Sequence, residues 1–163
     1  MTSERKPTDN AREHRRAVAD LKRRLRDLNN QVALLNYRVG TRVELRDVDL
    51  DSLDYVVQHG PLSPTVLARR IGLHPATMTG VLDRLERGGW ILRERDAADR
   101  RSVLLRANPE RAREVYRLYD GMNDRLDEVC ASYDQGQLAT ITEFLTRARD
   151  VGELATEEFA APK

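Results

Sequence analysis

The chain has 163 residues, 28 Lys+Arg against 27 Asp+Glu, and a formal net charge of +1. Hydrophobic residues make up 40% and charged residues 34%, which fits one globular domain over 1–163 that is rich in surface helix. No stretch reaches the roughly 18–20 apolar residues of a membrane span, and the start, MTSERKPTDNAREHRR, lacks the apolar region of a signal peptide. The single cysteine, Cys130, excludes an intrachain disulfide, so a cytoplasmic location is expected.

Charge is unevenly spread. Residues 1–42 carry 11 basic and 5 acidic side chains, and residues 61–108 carry 9 and 5. Residues 109–163 reverse the balance, with 7 basic and 12 acidic. A basic middle suits phosphate, and oppositely charged ends suit helices that pack on each other, within or between chains.

In chain order, residues 1–9 are polar and expected to be disordered. Val18, Leu21, Leu25, Leu28, Val32, Leu35 and Val39 then recur at alternating spacings of three and four. That 3.5-residue period predicts a helix over 10–45 laid along another helix. The segment RDVDLDSLDYVVQHG briefly resembles a calcium loop, but Ser52 stands where a glycine is needed and Gln58 where a glutamate is needed. Asp49 or Asp51 is instead expected to cap a helix that buries Leu53, Val56 and Val57 and stops at Gly60-Pro61. Ser63-Pro64 opens a further helix with Val66, Leu67 and Ile71 on its apolar face, ended by Gly72. His74-Pro75 opens the next, with Met78, Val81, Leu82 and Leu85 buried and Gly88-Gly89 as its stop. Two strands are predicted, Trp90–Arg95 and Arg101–Arg106, joined by residues 96–100. Asn108-Pro109 restarts helix, with a stripe of Val115, Leu118, Met122, Leu126 and Val129. A break near Ser132-Tyr133-Asp134 precedes a last helix carrying Leu138, Ile141, Leu145, Ala148 and Val151.

The order helix, turn, helix, arginine-rich hairpin over 49–108 is that of a winged helix-turn-helix. The fold class is therefore mainly α with a small β-hairpin wing, flanked by dimerisation helices at 10–45 and 109–157. In such a motif the second helix offers its N-terminal residues to the DNA major groove. Here these are His74, Ala76, Thr77 and Thr79, with Arg84 a turn further on; Ser63 and Thr65, at the start of the preceding helix, join the candidate DNA contacts. Arg95, Arg100 and Arg101 crowd the hairpin tip, where arginines suit the negative potential of a narrow minor groove. Asp99, two residues before Arg101, is placed to hold that guanidinium.

These residues resemble the MarR-type transcriptional regulators. The likeness rests on LARRIGLHPATMTGVLDRLERGGWILRERDAADRRSVLLRANP, above all Thr77–Gly89 and Asp99-Arg100-Arg101, and extends loosely over the flanking helices. It implies a homodimer with intertwined terminal helices that binds a short palindrome of double-stranded DNA, usually as a repressor released by a small ligand. By position, the recognition helix starts at His74, and Arg101 with Asp99 matches the wing pair. Departures are His74 where relatives often have serine, Trp90 in place of an aliphatic residue, and Leu105-Arg106-Ala107-Asn108-Pro109 after the wing.

Relatives of this type often take phenolic or other aromatic acids. Tyr37, Arg38, Tyr55, His59 and Tyr116 are the candidates for such a small-molecule effector, against the alternative that they only pack helices. The urate-responsive subgroup has a tryptophan in its first helix; this chain has only Trp90. Cys130 is far from the N-terminal position of peroxide-sensing relatives, and His14, His59 and His74 lack metal-ligand spacing, so no metal or cofactor is expected. No catalytic motif is present, and the chain is not expected to be an enzyme. The competing reading is a winged-helix protein–protein adaptor that does not touch DNA; the wing arginines argue against it.

Overall fold

The structure, a computed structural model, describes residues 7–96 and 102–160. Among them are seven helices and one two-stranded antiparallel sheet. The chain divides into two compact units whose boundary falls between Leu50 and Asp51.

The first unit is dominated by α1 (Pro7–Arg42). It begins three residues before the sequence-based limit, with a proline in the first turn, where its missing N–H costs nothing. Much of the heptad seam is uncovered on this chain: Leu21 is 46% exposed, Leu28 57% and Val32 36%, Val18, Leu25 and Leu35 are half-buried, and only Val39 is buried. The helix ends in a tight wrap in which the Leu45 N–H donates to the Gly40 carbonyl at 2.9 Å. A Cβ at Gly40 would lie 2.8 Å from the Leu45 oxygen, so only glycine lets the chain turn this closely. Glu44 takes the left-handed conformation at φ 60°, a place that favours glycine.

Helix α2 (Asp47–His59) starts earlier than expected. Asp49 falls within its first turn and Asp51 beyond it, both past the cap position; Asp49 is buried, and its N–H donates to Arg46 O at 2.9 Å. Both Asp47 and Asp49 lie where the helix dipole favours negative charge.

In the second unit the core gathers Leu53, Val56, Leu62, Leu67, Ala68, Met78, Val81, Leu82, Leu85, Trp90, Ile91, Leu105, Ala112 and Val115, all under 9% exposed. Helices α3 (Pro64–Ile71) and α4 (Pro75–Arg87) follow the cap and proline signals closely. Gly72 at φ 74° turns the chain between them. Strands β1 (Ile91–Arg95) and β2 (Val103–Ala107) pair with Arg93 opposite Leu105 and Arg95 opposite Val103. The second strand thus starts two residues later than predicted. Leu62 adds a short bridge on the other side of β2, exchanging both backbone hydrogen bonds with Leu105 at 3.2 and 2.8 Å.

The predicted helix after Asn108 is two helices, α5 (Pro109–Arg117) and α6 (Asp120–Cys130). Leu118 and Tyr119 donate to Val115 and Tyr116, three residues back, which tightens the chain and interrupts the α-helical ladder. Helix α7 (Gln135–Ala160) opens on a reciprocal cap between Asp134 and Gln137, at 2.8 and 2.9 Å. Its apolar residues Ile141, Phe144, Leu145, Val151 and Leu154 remain exposed, as do Leu126 and Val129 of α6. None of the described helices is long and apolar enough to cross a membrane.

Candidate nucleic-acid interface

The candidate interface is built on α4. Its apolar stripe, Met78, Val81, Leu82 and Leu85, is at most 2% exposed and anchors the helix in the core. That burial dictates which residues face out: Ala76, Thr77 and Thr79 are exposed at the N-terminal end. His74 is the N-cap, with Nδ1 accepting from the Ala76 N–H at 3.3 Å. An accepting Nδ1 leaves the ring proton on Nε2, so the imidazole offers a donor at the outer end of the helix. The Thr79 hydroxyl donates to Pro75 O at 3.1 Å, and its oxygen stays available as an acceptor. Arg84 folds back toward the N-terminus until a terminal nitrogen is 3.7 Å from the Cβ position of Gly80. Its guanidinium is thus carried toward the threonines, the direction helical side chains favour.

In α3, Ser63 is the N-cap, accepting from Val66 N at 3.3 Å, and is half-buried, whereas Thr65 is exposed. The wing is reached through Arg95, which is exposed at the end of β1. Asp99, Arg100 and Arg101 lie outside the described residues. The hairpin ladder is followed to its outer end, where Asp96 N donates to Ser102 O at 3.0 Å.

Sequence reasoning missed what ties wing to helix. Arg93 donates to Asp83 of α4 at 2.6 Å and pairs with Glu86 at 3.2 Å. Arg95 is two residues further on, so it shares the Arg93 face, the one turned toward α4. The opposite face carries its own cross-strand pair, Arg106 to Glu94 at 3.1 Å. The base of the wing is held by Trp90, which is buried with the Arg111 guanidinium 3.9 Å above its ring. Asn108 bonds three ways there: to Glu110 N as the α5 cap, from its amide to Gly89 O at 3.0 Å, and from its backbone to Trp90 O at 2.9 Å. The spacing of Asp83, Glu86 and Arg93 was the available signal, because i and i+3 on a helix share a face.

Of the effector candidates in the second unit, the rings of Tyr55 and His59 meet one helical turn apart, with centroids at 4.4 Å and planes tilted by 46°. Tyr116 donates from its hydroxyl to Asp54 at 3.1 Å. Burial, then the Asp54 charge and this hydrogen bond, push its pKa up to about 12, and Tyr119 beside it is raised for the same first two reasons. The phenol is therefore engaged by a carboxylate, and an anionic ligand would have to displace Asp54 to reach it. Tyr37 and Arg38 belong to the first unit, both exposed on α1. Among the described residues no group of His, Cys, Asp and Glu could hold a metal ion.

Two helices crossing through a glycine turn, the second polar at its exposed N-terminal end and tied to a β-hairpin, define a winged helix-turn-helix. Residues 50–103 match the MarR family model. Over that stretch, about a third of its length, the chain is similar to the MarR family. It is 27% identical over 128 residues to the uncharacterized HTH-type transcriptional regulator YcgE of Bacillus subtilis, covering 78% of this chain and 83% of that one. The HTH-type transcriptional repressor YetL of the same organism is 32% identical over 72 residues, 44% of this chain and 43% of its own. Among solved structures, Streptococcus pneumoniae FabT in complex with DNA superposes with a TM-score of 0.63 at 21% identity, over 83% of this chain and 97% of FabT.

Proposed function

We propose that the protein is a sequence-specific transcriptional regulator that binds a short DNA palindrome as a homodimer. The observation that carries this reading is the exposed end of α4, where His74, Ala76, Thr77 and Thr79 stand clear of a fully buried anchoring stripe, beside a wing clamped by Arg93. Small and hydroxyl-bearing side chains at that end suit close approach to base edges. The similarity to FabT, whose structure was solved with DNA, supports the same reading.

The open seam on α1 and the exposed apolar residues of α6 and α7 support homodimerisation through the terminal helices. A monomer would leave that surface in water. Repression is the favoured sign of regulation, in keeping with the similarity to YetL. Release is assigned to a small aromatic effector, with Tyr55, His59 and Tyr116 as its contacts.

The experiment is selection of bound fragments from a genomic DNA library by the purified protein, with Arg101→Ala alongside. Enrichment of a palindrome by the native protein and its loss in the variant is the expected result. No enrichment even at low salt would overturn the reading and favour the adaptor, a winged helix that serves protein contacts alone.

A further inference from the structure

Helix α1 carries a second pattern besides its apolar seam. At about 100° per residue, Arg12, Arg15, Arg16, Lys22, Arg23 and Arg26 fall within an arc of roughly 120°. Leu21 and Leu28 lie on the opposite side, and Val18 and Leu25 lie between them and the edge of the stripe. Every one of those cations is exposed. The stripe runs about 21 Å along the helix, at ~1.5 Å per residue. Acidic side chains on α1 keep to one flank: Asp20 pairs with Arg23 and, at 3.8 Å, with Arg24.

Cations three and four residues apart repel and weaken a helix. Arg12 with Arg15 and Arg16, and Lys22 and Arg23 with Arg26, are such spacings. An anionic partner of matching length would offset that repulsion. When the seam is covered by another helix, the basic side is turned outward by construction.

We propose that this face of α1 is a second DNA-contacting surface, which grips backbone phosphates of double-stranded DNA without reading sequence. The inference rests on the protein being a DNA-binding regulator. Arginine dominates the stripe, and its planar fork matches phosphate oxygens better than the ammonium of lysine. A lipid surface fits less well. The apolar side is a narrow 3.5-residue seam made for a helix, and the described part of α1 before Tyr37 has no Trp, Tyr or Phe to anchor in a membrane interface. The acidic side of α7 from a second copy also fits less well, because three of its five carboxylates are already paired. Glu153 pairs with Arg70, Asp150 with Arg149 at 2.7 Å and Glu143 with Arg147 at 3.6 Å.

The test uses the full chain with Arg12, Arg15 and Arg16 all changed to Gln, a residue that keeps helix propensity. A second variant carries Lys at the same three positions. Binding to a duplex without the palindrome, and to one with it, is followed by fluorescence anisotropy across a salt series. The Gln variant should bind both duplexes at least tenfold more weakly at low salt. Its log–log salt slope should be shallower by roughly 2–3, about 0.9 for each phosphate that is no longer neutralised. The ratio of palindrome to random binding and the dimer mass by light scattering should hold, and the Lys variant should keep the native slope. Arg101→Ala should show the converse, losing palindrome preference while keeping the α1 contribution, so failure of this inference and of the operator reading are separable. An unchanged slope in the Gln variant overturns the proposal. So does unchanged DNA binding accompanied by loss of a larger assembly, or by loss of binding to vesicles containing phosphatidylserine; those outcomes assign the stripe to protein or to lipid.

Discussion

Gly88→Ala tests how α4 hands over to the wing. Gly88 has ordinary right-handed helical backbone at φ −77°, so its backbone conformation does not demand glycine. Space does: a Cβ there would stand 2.6 Å from both Cδ1 and Nε1 of Trp90. The indole is only 4% exposed and has Arg111 against its face, so it cannot swing aside freely. Overpacking of this kind costs about 1–3 kcal/mol, offset by up to ~1 kcal/mol from the better helix propensity of alanine. The expected net loss is about 1–2 kcal/mol, to be measured by urea unfolding followed by circular dichroism at fixed protein concentration. The decisive comparison is Gly88→Ala in a Trp90→Leu background. With the indole gone, alanine should be neutral or stabilising by about 0.5–1 kcal/mol, because it only restricts the unfolded chain. Gly89→Ala behaves differently. It meets no atom within 4 Å but sits at φ 70°, so its cost of about 1–2 kcal/mol should be the same in both backgrounds. An undiminished loss from Gly88→Ala in the Trp90→Leu protein would refute the steric argument.

Arg93→Gln should leave thermal stability within about 1 kcal/mol of native, as part-exposed pairs contribute little, yet weaken palindrome binding several-fold by freeing the wing. Asp83→Asn in that variant should add little further, a non-additivity readable by anisotropy titration. Thr77→Ala should cost about 1–3 kcal/mol at one base position and leave the others unchanged, seen by binding to a set of singly substituted palindromes. Leu28→Glu, in the open seam at 57% exposure, should halve the mass by light scattering and abolish palindrome binding. Tyr116 is neutral when folded and its pKa is raised from 10.0 to about 12, so its contribution to stability is complete below pH 10 and lost as pH rises through 12. Asp54→Asn should bring its absorbance titration back toward 10, whereas an unmoved titration would deny the carboxylate its part.

The stretch from Ser63 to Gly89 was legible because each signal there is local. A cap, a proline, an apolar period and a glycine all act within a turn or two of chain, and Gly72 and Gly89, read as helix stops, adopt the left-handed conformation. Which side of α4 is exposed could be read for the same reason, since burying Met78, Val81, Leu82 and Leu85 leaves one side for everything else. What escaped was non-local or fine-grained. The Leu62 bridge depends on a strand four elements away, and nothing in Gly60-Pro61-Leu62 announces it. The clamp of Arg93 on Asp83 and Glu86 requires knowing how the hairpin lies on the helix. The interruption at Leu118-Tyr119 breaks no apolar period, so pattern alone runs straight through it. At the start of α2 the aspartates alternate at 47, 49 and 51, and the pattern placed the helix start too late.

The bridge between Leu62 and Leu105 has a kinetic meaning. It joins the threshold of α3 to the returning strand of the wing, so both helices and the hairpin lie inside one loop closed by backbone hydrogen bonds. Closing a loop of that length costs conformational entropy before any contact rewards it, whereas α3, α4 and the β1–β2 hairpin need only neighbouring residues. The helices and hairpin should therefore assemble first and the bridge should seal them last. Mutations at Leu62 should act mainly on the rate of unfolding, with folding rates nearly untouched. The wing, in that picture, is the latch of the helix-turn-helix unit.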